Sequence, residues 1–275
     1  MLRTSAKVSS KITGASGCLF ILMITITLES VIPDKCPSRD MQAKRKFCIY
    51  GFGIIDVVKK TYHIERRLSM KEKTRVLKDD LPFLRNYEEL KPRLSIRLNN
   101  PTHITPDTLS QPFLDFLVTC HIDVSDVVGE TAYCKVKEGL AEHLGVDRAQ
   151  LVADAIENSF RTRPPLAMTI EEYMKRLGFP VFEEKNHLMI ATTERFFYGA
   201  GVILYPGFLE SISGGKDLYM IPSSVHEWLY IEDRGDFSKE CLTEMLRTVN
   251  REVVVEDDFL SDDLYCWRGG AFRRA

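Results

Sequence analysis

The side chains best suited to chemistry follow one another in a single segment, Ser223-Ser224-Val225-His226-Glu227. A serine hydroxyl, an imidazole base and a carboxylate that orients it are the groups from which many hydrolases build a nucleophile. In an extended segment, however, Ser224 and His226 share a face about 7 Å apart, too far for a direct hydrogen bond. The serines also lack the flanking glycines of a nucleophile elbow. The pattern therefore favours a turn whose hydroxyls satisfy backbone donors, with His226 bonded locally.

A binding role fits the same segment together with an aromatic residue upstream of it. Tyr205 ends an apolar run that must be buried, although glycines and a proline interrupt the stretch around it. We predict no catalytic residue, and a candidate binding site composed of Tyr205, Ser223, Ser224, His226 and Glu227. A hydrolase that uses Ser223 or Ser224 with His226 is the alternative.

The sequence predicts neither a metal site nor a cofactor. His226 and Glu227 are adjacent, and adjacent side chains in a strand point to opposite faces, so the two cannot ligate one ion there. The other histidines are scattered, and no H-E-x-x-H motif is present. The glycine-rich stretches 199–201 and 213–216 match neither a phosphate-binding loop nor a dinucleotide fingerprint.

The overall composition excludes several classes of protein. With 275 residues, of which 44% are hydrophobic and 28% charged, the chain is typical of a globular protein and not of a disordered one. Its net charge is −2, whereas a dedicated nucleic-acid-binding surface is normally basic. Seven cysteines without a C-x-x-C pair indicate free thiols in a reducing compartment. We expect an unknown protein or small-molecule partner and no nucleic acid.

The first 60 residues differ from the rest of the chain. A basic start followed by the apolar residues 18–28 has the form of a signal peptide, but no small-x-small cleavage site follows. The apolar run is also shorter than the ~20 residues that span a bilayer as a helix. We interpret residues 1–60 as an atypical extension, signal-like or a misassigned start, ahead of a domain over residues 61–275. We expect a cytoplasmic protein; the alternative is export through residues 1–30, with membrane contact only through residues 18–28.

The first half of that domain mixes strand and helix patterns. Alternation over residues 93–98 predicts a half-buried strand. Two β-rich runs, 113–123 and 131–136, flank a glycine-containing loop and predict an antiparallel hairpin. Asp147 then has the position of an N-cap for a helix that ends before two prolines.

The last third adds strands and determines the fold class. Residues 217–221 and 228–231 read as strands on either side of a turn at 222–224, and residues 264–267 as an edge strand. Because strands and helices do not alternate strictly, we predict an α+β fold, with mixed, mainly antiparallel sheet segments and packed helices in a single compact domain.

Two segments in this order resemble a known family. Residues 198–207 (YGAGVILYPG) followed by 221–227 (IPSSVHE) are similar to the bacterial family Domain of Unknown Function 5688. Shorter segments agree with it at 86–88, 97–100, 113–115, 155–158 and 260–262, so the resemblance runs from about residue 75 to 267. It implies a cytoplasmic bacterial protein and assigns no activity, cofactor or catalytic residue. We therefore expect a non-catalytic protein- or ligand-binding domain.

Overall fold

Two antiparallel sheets form the frame of the protein in the computed structural model, which describes residues 81–129, 131–176 and 188–275. The N-terminal extension with its signal-like residues 18–28 lies outside the described residues.

The first sheet is built around one long strand. Its strands are β1 (Leu94–Asn99), β2 (Ser110–Phe113), β3 (Phe116–Asp123) and β4 (Tyr133–Lys135). β3 pairs with β1 along one side and with β2 and β4 in succession along the other. The predicted strand at 93–98 and the hairpin between β3 and β4 are confirmed. The run 113–123 is not one strand, because Leu114 adopts a φ of 50° and the chain reverses there between β2 and β3.

The two faces of this sheet differ in chemistry. Strand alternation puts apolar side chains on one face, and these enter the core: Ile96, Leu98, Val118, Cys120 and Ile122. The opposite face carries Arg97, Thr119 and His121. Thr119 and His121 are as buried as the apolar side chains, so this polar face is covered as well.

The second sheet has the strand order β10-β9-β7-β8-β6-β5. Its strands are β5 (Pro165–Thr169), β6 (Met189–Thr193), β7 (Leu218–Ser224), β8 (Glu227–Glu232), β9 (Tyr265–Arg268) and β10 (Ala271–Arg274). The strand predicted at 264–267 is present but is not an edge. The chain reverses at Gly269 and Gly270, both with positive φ, and β10 pairs with the side of β9 that would otherwise be free.

Helices cover both sheets. They are α1 (Tyr87–Leu90), α2 (Ser125–Val128), α3 (Glu138–His143), α4 (Arg148–Thr162), α5 (Ile170–Arg176), α6 (Phe208–Ser213) and α7 (Lys239–Val253). The predicted cap is confirmed, since the Asp147 carboxylate accepts from the backbone N–H groups of Ala149 and Gln150 at the start of α4.

α4 also closes the free edge of β1. The Ile96 N–H donates to Ser159 Oγ at 2.9 Å, and Asn158 Nδ2 donates to the Leu94 carbonyl at 2.6 Å. Both helix side chains are buried, so they satisfy backbone groups that water does not reach.

The apolar faces of the two sheets share one core. Met220, Trp228 and Tyr265 of the second sheet belong to the same cluster as the apolar face of the first, and the Phe116 and Trp228 ring centroids lie 5.8 Å apart. The other face of the second sheet packs against α7 through residues such as Ile221, Leu229 and Leu246. The predicted α+β class, with mainly antiparallel sheets and packed helices, is confirmed.

Two further observations bear on the sequence analysis. No helix in the described ranges is long and apolar enough to cross a membrane. Among the described residues, the cysteines at positions 120, 134 and 266 are free thiols, and burial raises the pKa of Cys120 to about 12.

Candidate functional site

The segment that the sequence singled out forms a β-hairpin. β7 continues through Pro222, Ser223 and Ser224, and the two-residue turn falls at Val225 and His226. The turn predicted at 222–224 is therefore wrong. The pairing between β7 and β9 ends at Met220. Pro222 therefore has no β9 partner that would need a backbone N–H from it, and β7 tolerates the proline.

The two serines bind the glutamate and not the histidine. Ser223 Oγ donates to Glu227 Oε1 at 2.7 Å, and Ser224 Oγ donates to the same oxygen at 2.9 Å. A register shift between Pro222 and Ser224 brings both hydroxyls to one carboxyl group. Burial raises the pKa of Glu227, while His226 and the two hydroxyl donors act in the opposite direction.

The His226 imidazole is buried and supports a neighbouring loop. Its Nδ1 accepts the backbone N–H of Tyr198 at 3.0 Å, and its Nε2 lies 3.4 Å from Asp258 Oδ1. Because Nδ1 is an acceptor, the ring hydrogen is assigned to Nε2, on the side of Asp258. The Phe197 ring stacks on the imidazole with centroids 5.2 Å apart. His226 thus fixes the loop at 196–199.

Tyr205 contacts the end of α4. Its ring lies 5.5 Å from that of Phe160, and its hydroxyl bonds to Ser159. Burial raises the pKa of Tyr205 to about 12, and the nearby charge of Arg163 opposes this shift. Among the predicted site residues, the structure brings together Ser223, Ser224 and Glu227, and it sets Tyr205 beside an arginine that the sequence analysis did not consider.

That arginine belongs to a group of side chains above the polar face of the first sheet. The Arg97 guanidinium carbon lies 3.4 Å from the Tyr198 ring centroid and 5.3 Å from that of Tyr133. The Arg163 guanidinium carbon lies 4.6 Å from the same Tyr133 ring. We call Arg97, Arg163, Tyr133 and Tyr198 the arginine–tyrosine cluster.

The cluster carries two positive charges, those of Arg97 and Arg163. Arg163 is only 5% exposed, and among the described residues neither it nor Arg97 forms an ion pair with an aspartate or glutamate. Burial lowers the pKa of Arg97 to about 10; Tyr198 opposes this shift and the charge of Arg163 adds to it. Buried charges in proteins are normally paired, so this arrangement is costly without an anion.

Buried nitrogen atoms without a partner accompany the charge. Among the residues that the structure describes, Arg97 Nε has no hydrogen-bond partner, and neither does Nδ1 of His121 on the same sheet face. Burial lowers the pKa of His121 well below its ordinary value, and the charges of Arg97, Lys135 and Arg163 act in the same direction. The imidazole is therefore neutral near pH 7. At the exposed rim, Arg195 Nη1 donates to the Tyr133 hydroxyl at 3.4 Å.

The loop that brings Tyr198 to Arg97 is strained. Phe196 and Tyr198 have φ values of 53° and 50°, in the left-handed region that residues with a Cβ rarely adopt. Two bonds to His226 hold the loop: the Tyr198 N–H on Nδ1 and the Gly199 N–H on the carbonyl oxygen. Strain of this kind persists where surrounding structure enforces it, often at ligand-binding positions.

The cluster does not follow from the sequence pattern, because alternation over residues 93–98 predicts a half-buried strand with one face toward solvent. Alternation alone puts Arg97 on the face opposite Ile96 and Leu98, but the covering groups come from distant segments, around residues 133, 163 and 198. No local pattern reveals that such a face is buried.

Taken together, the fold and site define an α+β domain in which a buried and a partly buried arginine pack on tyrosine rings. A family model described as a family of unknown function (DUF5688) matches residues 51–268, and the chain belongs to this family. The predicted resemblance is confirmed, and the match begins earlier than residue 75. No curated protein and no solved structure matches the chain.

Proposed function

We propose that this domain is a non-catalytic binding domain that holds the anionic group of a small molecule at the arginine–tyrosine cluster. One observation carries the proposal: the buried Arg163 and the partly buried Arg97 pack on tyrosine rings and, among the described residues, form an ion pair with no carboxylate. An arginine presents several fixed N–H donors that match carboxylate and phosphate oxygens. A bound anion would supply the missing charge.

The depth of the cluster favours a small molecule over a protein partner. Arg163 and His121 are buried, whereas Arg195 at the rim is exposed. Pockets that recognise small ligands place a few polar groups inside a largely apolar site, while protein interfaces draw on residues that are exposed in the free protein.

The hydrolase alternative has less support in the geometry. The hydroxyls of Ser223 and Ser224 donate to Glu227, and Nδ1 of His226 already accepts a backbone N–H. A general base must reach the proton that it removes, directly or through one water. In the hairpin, Ser224 Oγ instead accepts the backbone N–H of His226, and both serine hydroxyls donate to the buried Glu227 carboxyl group.

The proposal also includes the cellular compartment of the protein. The free thiols at positions 120, 134 and 266 agree with a reducing environment, the bacterial cytoplasm. Export through residues 1–30 is the alternative, and detection of the intact N-terminus in the cytosolic fraction would exclude it.

Thermal unfolding of the full-length chain tests the binding proposal. Sodium phosphate and sodium acetate should each be titrated against sodium chloride at equal ionic strength. A ligand that binds only the folded protein adds about 2.7 kcal/mol to the free energy of unfolding at 100 times its Kd, and each kcal/mol raises Tm by about 2–4 °C at this chain length. We expect at least one oxyanion to raise Tm beyond the chloride effect.

Two matched variants locate the effect. Arg163→Met removes one buried charge and should abolish the oxyanion-specific rise in Tm. Arg247→Met removes an exposed arginine from α7, on the far side of the second sheet, and should leave the rise unchanged. If neither oxyanion raises the Tm of the wild-type protein more than chloride does, the proposal is wrong.

A further inference from the structure

The polar face beneath the arginine–tyrosine cluster contains a chain of hydrogen bonds with a defined direction. Asn99 Nδ2 lies within 3.1 Å of the Arg97 carbonyl oxygen, 3.4 Å of the Leu117 carbonyl oxygen and 2.9 Å of Thr119 Oγ1. The two carbonyl oxygens can only accept, which identifies the amide atom as the NH2 group, and an NH2 group cannot accept a hydrogen bond from the Thr119 hydroxyl.

The hydroxyl of Thr119 must then donate its hydrogen bond to the imidazole. Thr119 is fully buried, and Nε2 of His121 lies 2.9 Å from Oγ1. A hydroxyl has one hydrogen to donate, and Nε2 is the acceptor within reach of it. If His121 donated to Thr119 instead, the buried threonine hydrogen would have no acceptor and Nδ1 would still lack a partner, which leaves two unsatisfied groups in place of one.

The direction of this chain determines which ring nitrogen carries the hydrogen. When Nε2 accepts, the neutral imidazole is protonated on Nδ1. Nδ1 is buried and has no acceptor among the described residues. The polar face therefore presents two unsatisfied donors, the N–H of His121 Nδ1 and the N–H of Arg97 Nε, beside the charge of Arg163.

We infer that the relay Asn99–Thr119–His121 holds a ring N–H of His121 as a donor beside the two arginines, and that the arginine–tyrosine cluster therefore selects an ionised oxyanion, a carboxylate or a phosphate, with one oxygen bound by Nδ1 of His121. This inference rests on the proposed function and specifies its ligand class. A neutral alcohol or amide carries no negative charge for the two arginines and should bind more weakly. Thr119 acts as a positioning residue, because it sets the tautomer and does not contact the ligand.

Substitution of Thr119 tests the relay. Thr119→Val keeps the shape and removes the hydroxyl, so Nε2 loses its donor and the ring hydrogen is no longer held on Nδ1. We expect the affinity for phosphate and for acetate, measured by calorimetry on the full-length chain, to fall about 10- to 100-fold, the range for one hydrogen bond to a charged group. Thr119→Ser retains the hydroxyl and should bind within about threefold of the wild-type protein.

A second readout does not depend on binding. In the two-bond ¹⁵N–¹H spectrum of the histidine rings, the wild-type His121 should show the pattern of the Nδ1–H tautomer without any ligand, Thr119→Ser should keep it, and Thr119→Val should change it. Wild-type His121 in the Nε2–H form would overturn the relay, whether or not an anion binds. Equal affinities of Thr119→Val and wild-type protein would also overturn it.

The two proposals fail in different ways. If the wild-type protein binds neither phosphate nor acetate but His121 has the Nδ1–H tautomer, the proposed binding site is overturned. Only the direction of the hydrogen bonds from Asn99 to His121 is then confirmed. If Arg163→Met abolishes binding and Thr119→Val preserves it, the proposed function stands and the role of His121 is overturned. The relative affinity for phosphate and acetate then shows whether the site prefers a phosphate or a carboxylate.

Discussion

Glu227 places a carboxyl group inside the β7–β8 hairpin, and two serine hydroxyls share its Oε1. Burial raises the pKa of this group above its ordinary value of 4.5. The folded protein therefore holds the proton more tightly than the unfolded chain does. The resulting stabilisation is fully present below the unfolded pKa and is lost as the pH rises through the folded pKa.

Glu227→Gln should remove this pH dependence. We expect the stability of the wild-type protein relative to the variant to fall as the pH is raised above 4.5, because only the wild-type protein then buries a group that tends to ionise. Urea unfolding at a series of pH values from 4 to 8 measures the difference. A difference that stays constant, or grows in favour of wild type with rising pH, contradicts the assignment.

Glu232 on the same strand supplies a control of opposite sign. Arg234 and Lys216 bind its carboxylate and lower its pKa to about 2. Its contribution is present above the unfolded pKa and is lost as the pH falls toward the folded value. On acidification, the wild-type protein should therefore lose stability relative to the Glu232→Gln variant. Over the same change in pH, it should gain stability relative to the Glu227→Gln variant.

At the scale of elements, the loop at 196–199 depends on one glycine. A Cβ on Gly199 would meet the Thr192 hydroxyl, and would lie 2.6 Å from the His226 carbonyl oxygen and 2.7 Å from the Thr193 nitrogen. Two of these neighbours are backbone atoms, one in the hairpin turn and one in β6, and they cannot move aside cheaply. Glycine is required there because the loop crosses directly over the hairpin turn.

Gly199→Ala should therefore destabilise the protein by about 1–3 kcal/mol or more, the usual effect of overpacking a tight site. It should also shift Tyr198 away from Arg97 and weaken phosphate binding. Denaturant unfolding measures the first effect and calorimetry the second. Gly139→Ala is the matched control: no atom lies within 4 Å of the new Cβ, and alanine favours its helix by up to about 1 kcal/mol. Equal stabilities of the two variants would contradict this account of the loop.

Elements whose boundaries depend on local chemistry could be predicted from the sequence. The strand at Arg97, the cap at Asp147 and the α+β class follow from alternation and capping residues. The continuation of β7 through Pro222 depends instead on where β9 stops, and the cluster depends on three segments that converge in space. Local propensity predicts neither the length of β7 nor the cluster, because both are determined by tertiary contacts.

At the scale of the whole molecule, a single core joins the two sheets. Trp228 lies at the junction: it is fully buried, its ring meets Phe116 of the first sheet and Tyr265 of the second, and its indole N–H donates to the Ala200 carbonyl oxygen. Neither sheet can lose its packing without exposing the apolar face of the other.

We therefore expect the two sheets to unfold together. Tryptophan fluorescence and far-ultraviolet circular dichroism should give superimposable urea curves with one midpoint for the region 81–275. Phe116→Ala should lower both midpoints equally, with a loss of about 3–5 kcal/mol, since it opens a cavity against Trp228. Separate midpoints for the two probes would show that the sheets are independent.

The closure of β1 by α4 has a consequence for the protein in a crowded cell. A bare strand edge is a template on which other chains add strands and aggregate. Here the Ile96 N–H and the Leu94 carbonyl are already occupied by Ser159 and Asn158. The first sheet is thereby protected on that side against intermolecular strand addition, and the protection lasts for as long as α4 stays docked.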